Sequence, residues 1–135
     1  MKKRIGAFLI VFMTFSMLCG ITAFAIFKNP RYSYTASAFS TLYFDGDTAK
    51  CTSSLTGLSD VTGISGTQYL EKKVGDDWEV VKYCNWFKMD TDTILRIYNT
   101  RTVTESGTYR VRAEFTVYSG SDNEPVTAIS NEVTH

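Results

Sequence analysis

From Tyr109 to Val117 the chain alternates without a break. Tyr109, Val111, Ala113, Phe115 and Val117 fall on one side, and Arg110, Arg112, Glu114 and Thr116 on the other. Successive side chains of a β-strand point to opposite faces, so this pattern describes a strand with one buried face and one wet face. Nowhere beyond residue 31 do apolar residues recur at helical spacing over the dozen residues a helix needs. The alternation therefore commits the chain to an all-β fold.

Seven strands can be read. The first runs from about Tyr32 to Phe44, kinks near Ala38 and ends at Asp45-Gly46, a dipeptide suited to a tight hairpin turn. The second, about Thr48 to Thr56, places Ala49, Cys51, Ser53 and Leu55 on its inward face. Residues 57–66 read as a Gly/Ser/Asp loop. Thr67 to Val74 and Trp78 to Cys84 form a hairpin around Gly75-Asp76-Asp77, and residues 85–92, with Trp86 and Phe87, read as irregular. A fifth strand spans about Thr93 to Val103, a sixth Gly107 to Tyr118, and a seventh passes Pro125 to end near Thr134. Short strands at this spacing predict an antiparallel sandwich of two sheets.

The N-terminus reads as an export signal. Lys2, Lys3 and Arg4 precede an uncharged, Phe/Ile/Leu-rich run from Ile5 to Phe27, in which Gly20 can break a helix and Ala23-Phe24-Ala25 offers a small-x-small cleavage pattern. The expected division is a signal peptide at 1–25, a leader at 26–31 and one β-domain at 32–135, secreted or at the cell surface. The uncharged run is also long enough to span a bilayer, so an uncleaved anchor is the alternative, and membrane contact is expected only through this segment. Three of the 14 basic residues lie in the signal, which leaves the exported part mildly acidic against its 14 acidic residues. Scattered charge of that sign argues against a nucleic-acid partner.

Cys19 lies inside the signal, without the small residue before it that a lipid-anchoring box requires. Cys51 and Cys84 remain, an even pair in a chain bound for an oxidising space, and one disulfide between them is expected. It would stabilise the fold by roughly 3–4 kcal/mol on the chain-entropy view. Two buried free thiols are the alternative.

Chemistry-bearing sets are sparse. The single histidine, His135, ends the chain, where fraying would leave it poorly placed for catalysis. Without an internal histidine, nucleophile triads and histidine metal sites are not expected, so no catalytic residues, metal or cofactor are assigned. Asp45/Asp47, Asp76/Asp77 and Asp90/Asp92 are ordinary turn residues rather than a calcium loop. The aromatic residues Trp86, Phe87, Tyr98 and Tyr118 fall outside the inward alternation or in loops and form a possible ligand surface, which sugar rings would suit. Trp78 and Phe87 could instead cover the ends of the core, and Arg110, Arg112, Glu114 and Lys82 a charged outer stripe.

"ESGTYRVRAEF" resembles the entry to the sixth strand of immunoglobulin-like domains. Glu105, Gly107 and Tyr109 match that corner, where the tyrosine hydroxyl bonds back to the backbone just upstream. Val111 stands where such domains carry a cysteine, and Leu70 where they carry a tryptophan. "DTAKC", "GDDWEVV" and "GTYRVRAEF" also make the chain similar to small secreted proteins of unknown function in Gram-positive bacteria, each an export signal plus one immunoglobulin-like domain. The resemblance implies a seven-stranded antiparallel sandwich and no activity. The expected role is therefore a non-enzymatic binding or interaction module with an unknown protein or glycan partner. A carbohydrate-binding module is one alternative, and a structural envelope protein held by its signal is another.

Overall fold

The structure, a computed structural model, describes residues 31–135. The segments expected to be signal peptide (1–25) and leader (26–31) lie outside the described residues, residue 31 excepted. The described residues form eight strands: β1 (Thr35–Asp45), β2 (Thr48–Gly57), β3 (Gly63–Val74), β4 (Asp77–Asp90), β5 (Ile94–Thr102), β6 (Thr108–Ser119), β7 (Asp122–Ile129) and β8 (Val133–Thr134). Two antiparallel sheets face each other. One is ordered β1-β2-β5; the other is β4-β3-β6-β7, with β8 pairing β6 beyond the end of β7.

The hairpins arise where the turn chemistry predicts them. Asp45 pairs Thr48 and Val74 pairs Asp77, so each turn has two residues. Gly46 and Gly75 take positive φ at the first turn position, which an L side chain would resist. On β2, Ala49, Cys51, Ser53 and Leu55 are fully buried, as the alternation requires.

Three boundaries differ from the sequence reading. Strand β3 begins at Gly63, inside the stretch read as loop, because small residues are needed there: a β-carbon on Gly66 would meet the Phe115 ring at 2.7 Å. The seventh strand is two, β7 and β8, separated where Ser130 pairs with Val111 through its backbone N–H and its hydroxyl. Pro125 lies within β7 opposite Thr116, tolerated because β7 is an edge strand.

The third difference reverses the side-chain faces of half a strand. Strand β4 does not stop at Cys84 but continues to Asp90, across a bulge. Tyr69 pairs Asn85 and Glu71 pairs Val80, so Val81, Lys82, Tyr83 and Cys84 oppose Leu70 alone. Tyr83 takes a left-handed φ of 63° there. Trp78 and Val80 face outward before the bulge, and Asn85 and Phe87 face outward after it, opposite the outward residues Lys73, Glu71, Tyr69 and Thr67. Cys84 and Trp86 consequently turn inward.

The interior divides into two apolar clusters. One gathers Leu55, Ile64, Leu95, Phe115 and Val117 with their neighbours. The other gathers Leu42, Cys51, Leu70, Cys84, Tyr109 and Val111, with Trp86 against it. Between them runs a directed chain of hydrogen bonds. Asn99 Nδ2 donates to Gln68 Oε1 at 3.0 Å, Gln68 Nε2 donates to Ser53 Oγ at 2.9 Å, and Ser40 Oγ donates to the Ala128 carbonyl at 3.2 Å. Because the Ser40 proton is so engaged, Ser53 supplies the proton of the 2.8 Å contact between the two hydroxyls. The chain touches β5, β3, β2, β1 and β7 and ties the sheets together.

Candidate functional site

The four rings expected to form a ligand surface are not brought together. Trp86 is half-buried and packs inward on the Cys51/Leu70 cluster. Phe87, 69% exposed, stands on the outer face of the five-stranded sheet, so it does not cover the core. Tyr98, 57% exposed, stands on the outer face of the other sheet. Tyr118 is half-buried opposite Gly63 near the end of β6. The stretch read as irregular instead continues β4 past the bulge with its alternation shifted, which turns Trp86 inward and Phe87 outward.

Tyr98 has other companions. Register across β1-β2-β5 aligns Phe39, Ser54 and Arg96 in one row, Thr41, Thr52 and Tyr98 in the next, and Tyr43, Lys50 and Thr100 in a third. Phe39 is 48% exposed and Tyr43 54%. Strand geometry separates Phe39 from Tyr43 by about 13 Å along β1, and sets Tyr98 about 10 Å across from the point midway between them. The rings frame an open platform floored by Thr and Ser hydroxyls. Its cations are Lys50 and Arg96, the first paired with Asp45 at 3.3 Å, a bond that raises the Lys50 pKa. Phe39 and Tyr43 escape a search for exposed rings in the sequence because they share β1 with the inward Leu42; only the parity of that strand distinguishes them.

The outer face of the larger sheet is a closed ladder. Glu71 is buried although it points outward. Its two oxygens accept from Arg110 Nε at 3.0 Å and Arg112 Nε at 3.2 Å. The Arg110 guanidinium lies 4.2 Å above Trp78 and that of Arg112 4.3 Å above Tyr69; Arg112 also pairs with Glu114. Trp78 thus serves this ladder rather than an end of the core, and Lys82, with its ammonium over the Tyr83 ring, stands in the bulge outside it.

The corner residues lie where β6 begins. Tyr109 is buried, and its hydroxyl donates to the Glu105 carbonyl at 2.6 Å. Burial raises its pKa. The Glu105 side chain pairs with Lys72. Gly107 pairs through both backbone groups with His135.

The expected disulfide is corrected: Cys51 and Cys84 are free thiols, both fully buried in one cluster. Burial and the neighbouring Cys84 push the Cys51 thiol up to about 12. Burial also raises Cys84, against a lowering by Arg101. Exchange chemistry begins with a thiolate, and burial holds both groups protonated.

His135 is corrected as well. It is not frayed but stacks on Phe44 at 4.2 Å, and its Nε2 sits 3.1 Å from Asp47 Oδ1 and 3.0 Å from the Val103 carbonyl. Both partners are acceptors, so Nε2 carries the proton. The aspartates at turns serve their surroundings: Asp45 holds Lys50, and Asp92 accepts from the Thr93 backbone at 2.6 Å. Among the described residues no group of three or more His, Cys, Asp or Glu side chains is placed to hold a metal ion.

No protein-family model, no curated protein and no solved structure matches the chain.

Proposed function

We propose that the protein is an exported, non-enzymatic immunoglobulin-like domain that recognises its partner through the outer face of the β1-β2-β5 sheet. The observation that carries this reading is the trio Phe39, Tyr43 and Tyr98, each about half exposed on one face with only hydroxyl-bearing and cationic side chains between them. Large rings on a rigid sheet offer contact area at little conformational cost, and grouped exposure of this kind marks an interaction surface. The immunoglobulin-like assignment is supported by the pairing of a β1-β2-β5 sheet with a β4-β3-β6-β7 sheet and by the Tyr109 corner. A non-enzymatic role is supported by the engagement of the buried ionisable groups: Glu71 is held by two arginines, and His135 by Asp47 and a carbonyl.

A glycan is the second, narrower reading of the ligand, and the hydroxyls of Thr41 and Thr52 beside Tyr98 favour it. A sugar ring presents an apolar face to an aromatic side chain and hydroxyls at its edge. The test is a glycan array probed with the full-length protein, followed by amide-shift mapping with any ligand retained. Shifts confined to residues 37–43, 50–56 and 94–100 support the reading. Shifts confined to the larger sheet overturn it.

A further inference from the structure

The two sides of the sandwich are sealed unequally. Where β1 and β7 form the edges, side chains occupy the backbone: the Glu124 carboxylate accepts from the Ser33 and Tyr34 amides at 2.5 and 3.1 Å. On the same side the Asn131 amide group meets both the N–H and the C=O of Leu42, at 3.5 and 3.3 Å. On the opposite side the edges are β4 and β5. There Lys88 Nζ donates to the Arg96 carbonyl at 2.8 Å, and further along the seam opens into a groove of about 410 Å³.

The groove is touched by every residue of 79–82 on one wall and of 101–105 on the other. Successive side chains of a strand point to opposite faces, so a ligand on a sheet face would meet every second residue. β4 and β5 each have one partner strand, so the walls at residues 79–82 and 101–102 are strand edges with backbone N–H and C=O groups facing away from that partner, and residues 103–105 continue the second wall past the end of β5. Val80, Val81 and Val103 supply apolar lining between them. Lys82 and Arg101 stand on opposite walls with no carboxylate partner among the described residues, against one unpaired carboxylate, Glu79; Lys72 and Glu105 neutralise each other.

We propose that this groove is a strand-addition site for an extended, acidic segment of a partner protein. The segment's backbone pairs with the free edges in the seam, its apolar side chains rest on the valines, and its carboxylate lies between Lys82 and Arg101. Main-chain pairing supplies affinity, and alternate side chains and charge supply selectivity. This site is separate from the ring-bearing face, and either can fail without the other.

A displayed library of random ten-residue peptides, panned on the full-length protein, tests it. Enriched peptides are expected to carry an acidic residue among β-branched ones. As free synthetic peptides they are expected to slow amide exchange at residues 79–82 and 101–102. Arg101→Glu, at an exposed position, is expected to raise their Kd at least tenfold with Tm unchanged. The proposal is overturned if no peptide is enriched over the unselected library, if protection falls elsewhere, or if Arg101→Glu leaves Kd unaltered.

Discussion

The side-chain amide of Gln68 donates to Ser53 Oγ at 2.9 Å in the centre of the sandwich, where both residues are fully buried. Gln68 belongs to β3 and Ser53 to β2, so the bond joins the two sheets. A buried polar group left without a partner costs more than a made bond contributes. No buried side-chain nitrogen or oxygen among the described residues lacks a partner, and this chain of bonds satisfies those of Ser40, Ser53 and Gln68. Gln68→Leu is expected to destabilise the fold by about 2–3 kcal/mol, by stranding Ser53 and Asn99. Urea denaturation checks it: the midpoint should fall with the slope unchanged. A cycle with Ser53→Ala should show coupling of about 0.5–3 kcal/mol.

The Tyr109 hydroxyl anchors the crossing into β6. Tyr109→Phe keeps the ring and removes only the bond to the Glu105 carbonyl. The expected loss is about 1 kcal/mol, a typical net hydrogen bond. Thermal unfolding of the two proteins in parallel measures it.

Breaking the ladder beneath Arg110 and Arg112 should cost more. Glu71→Gln is nearly isosteric but leaves the Arg110 guanidinium without a counter-ion and Arg112 with the exposed Glu114 alone. About 2–3 kcal/mol of stability is expected to be lost, and high salt should restore little of it because the carboxylate is buried. Denaturation at low and high ionic strength provides the comparison.

These three sites differ in how far the sequence discloses them. The inward faces of β2 and β6 are legible because Ala49, Cys51, Ser53 and Leu55, and Tyr109 to Val117, keep a strict period of two. Gln68 is less so: a lone glutamine in an alternating strand reads as a surface residue until Ser53 and Asn99 are seen to meet it. The candidate site is the least legible part. Val81 to Cys84 insert a shift of phase that no residue type announces, so residues 85–92 read as irregular although 85–90 continue β4 and turn Trp86 inward. Phe39 and Tyr43 were hidden for the opposite reason, in a strand whose alternation holds but whose face is decided by partners elsewhere. His135 owes its order to Phe44, Asp47 and Val103, contacts distant in the chain.

The cysteines give a pH dependence. Cys51 has a folded pKa of about 12 against an ordinary value of 9.0. A pKa raised on folding means that the folded state binds the proton more tightly. The associated stability is therefore present in full below about pH 9 and lost as pH rises from there toward 12. Stability is expected to decline over that window by a few kcal/mol, and less steeply in Cys51→Ala. Denaturant titrations at stepped pH check this. A thiol count on protein lacking residues 1–25, and so lacking Cys19, tests it independently: none should react in the native protein and two should react in denaturant, whereas a count of zero in denaturant would show an oxidised pair.

The most direct test of the recognition face compares affinities. Wild type and the triple variant Phe39→Ala/Tyr43→Ala/Tyr98→Ala would be titrated with the glycan retained from the array, with Tm measured on both. All three rings are solvent-facing, so the variant should fold. The predicted result is a loss of about thirtyfold or more in affinity at similar Tm, the scale of a lost aromatic hot spot. Equal affinities for the two proteins, or no glycan retained by wild type, would contradict the glycan reading of this face.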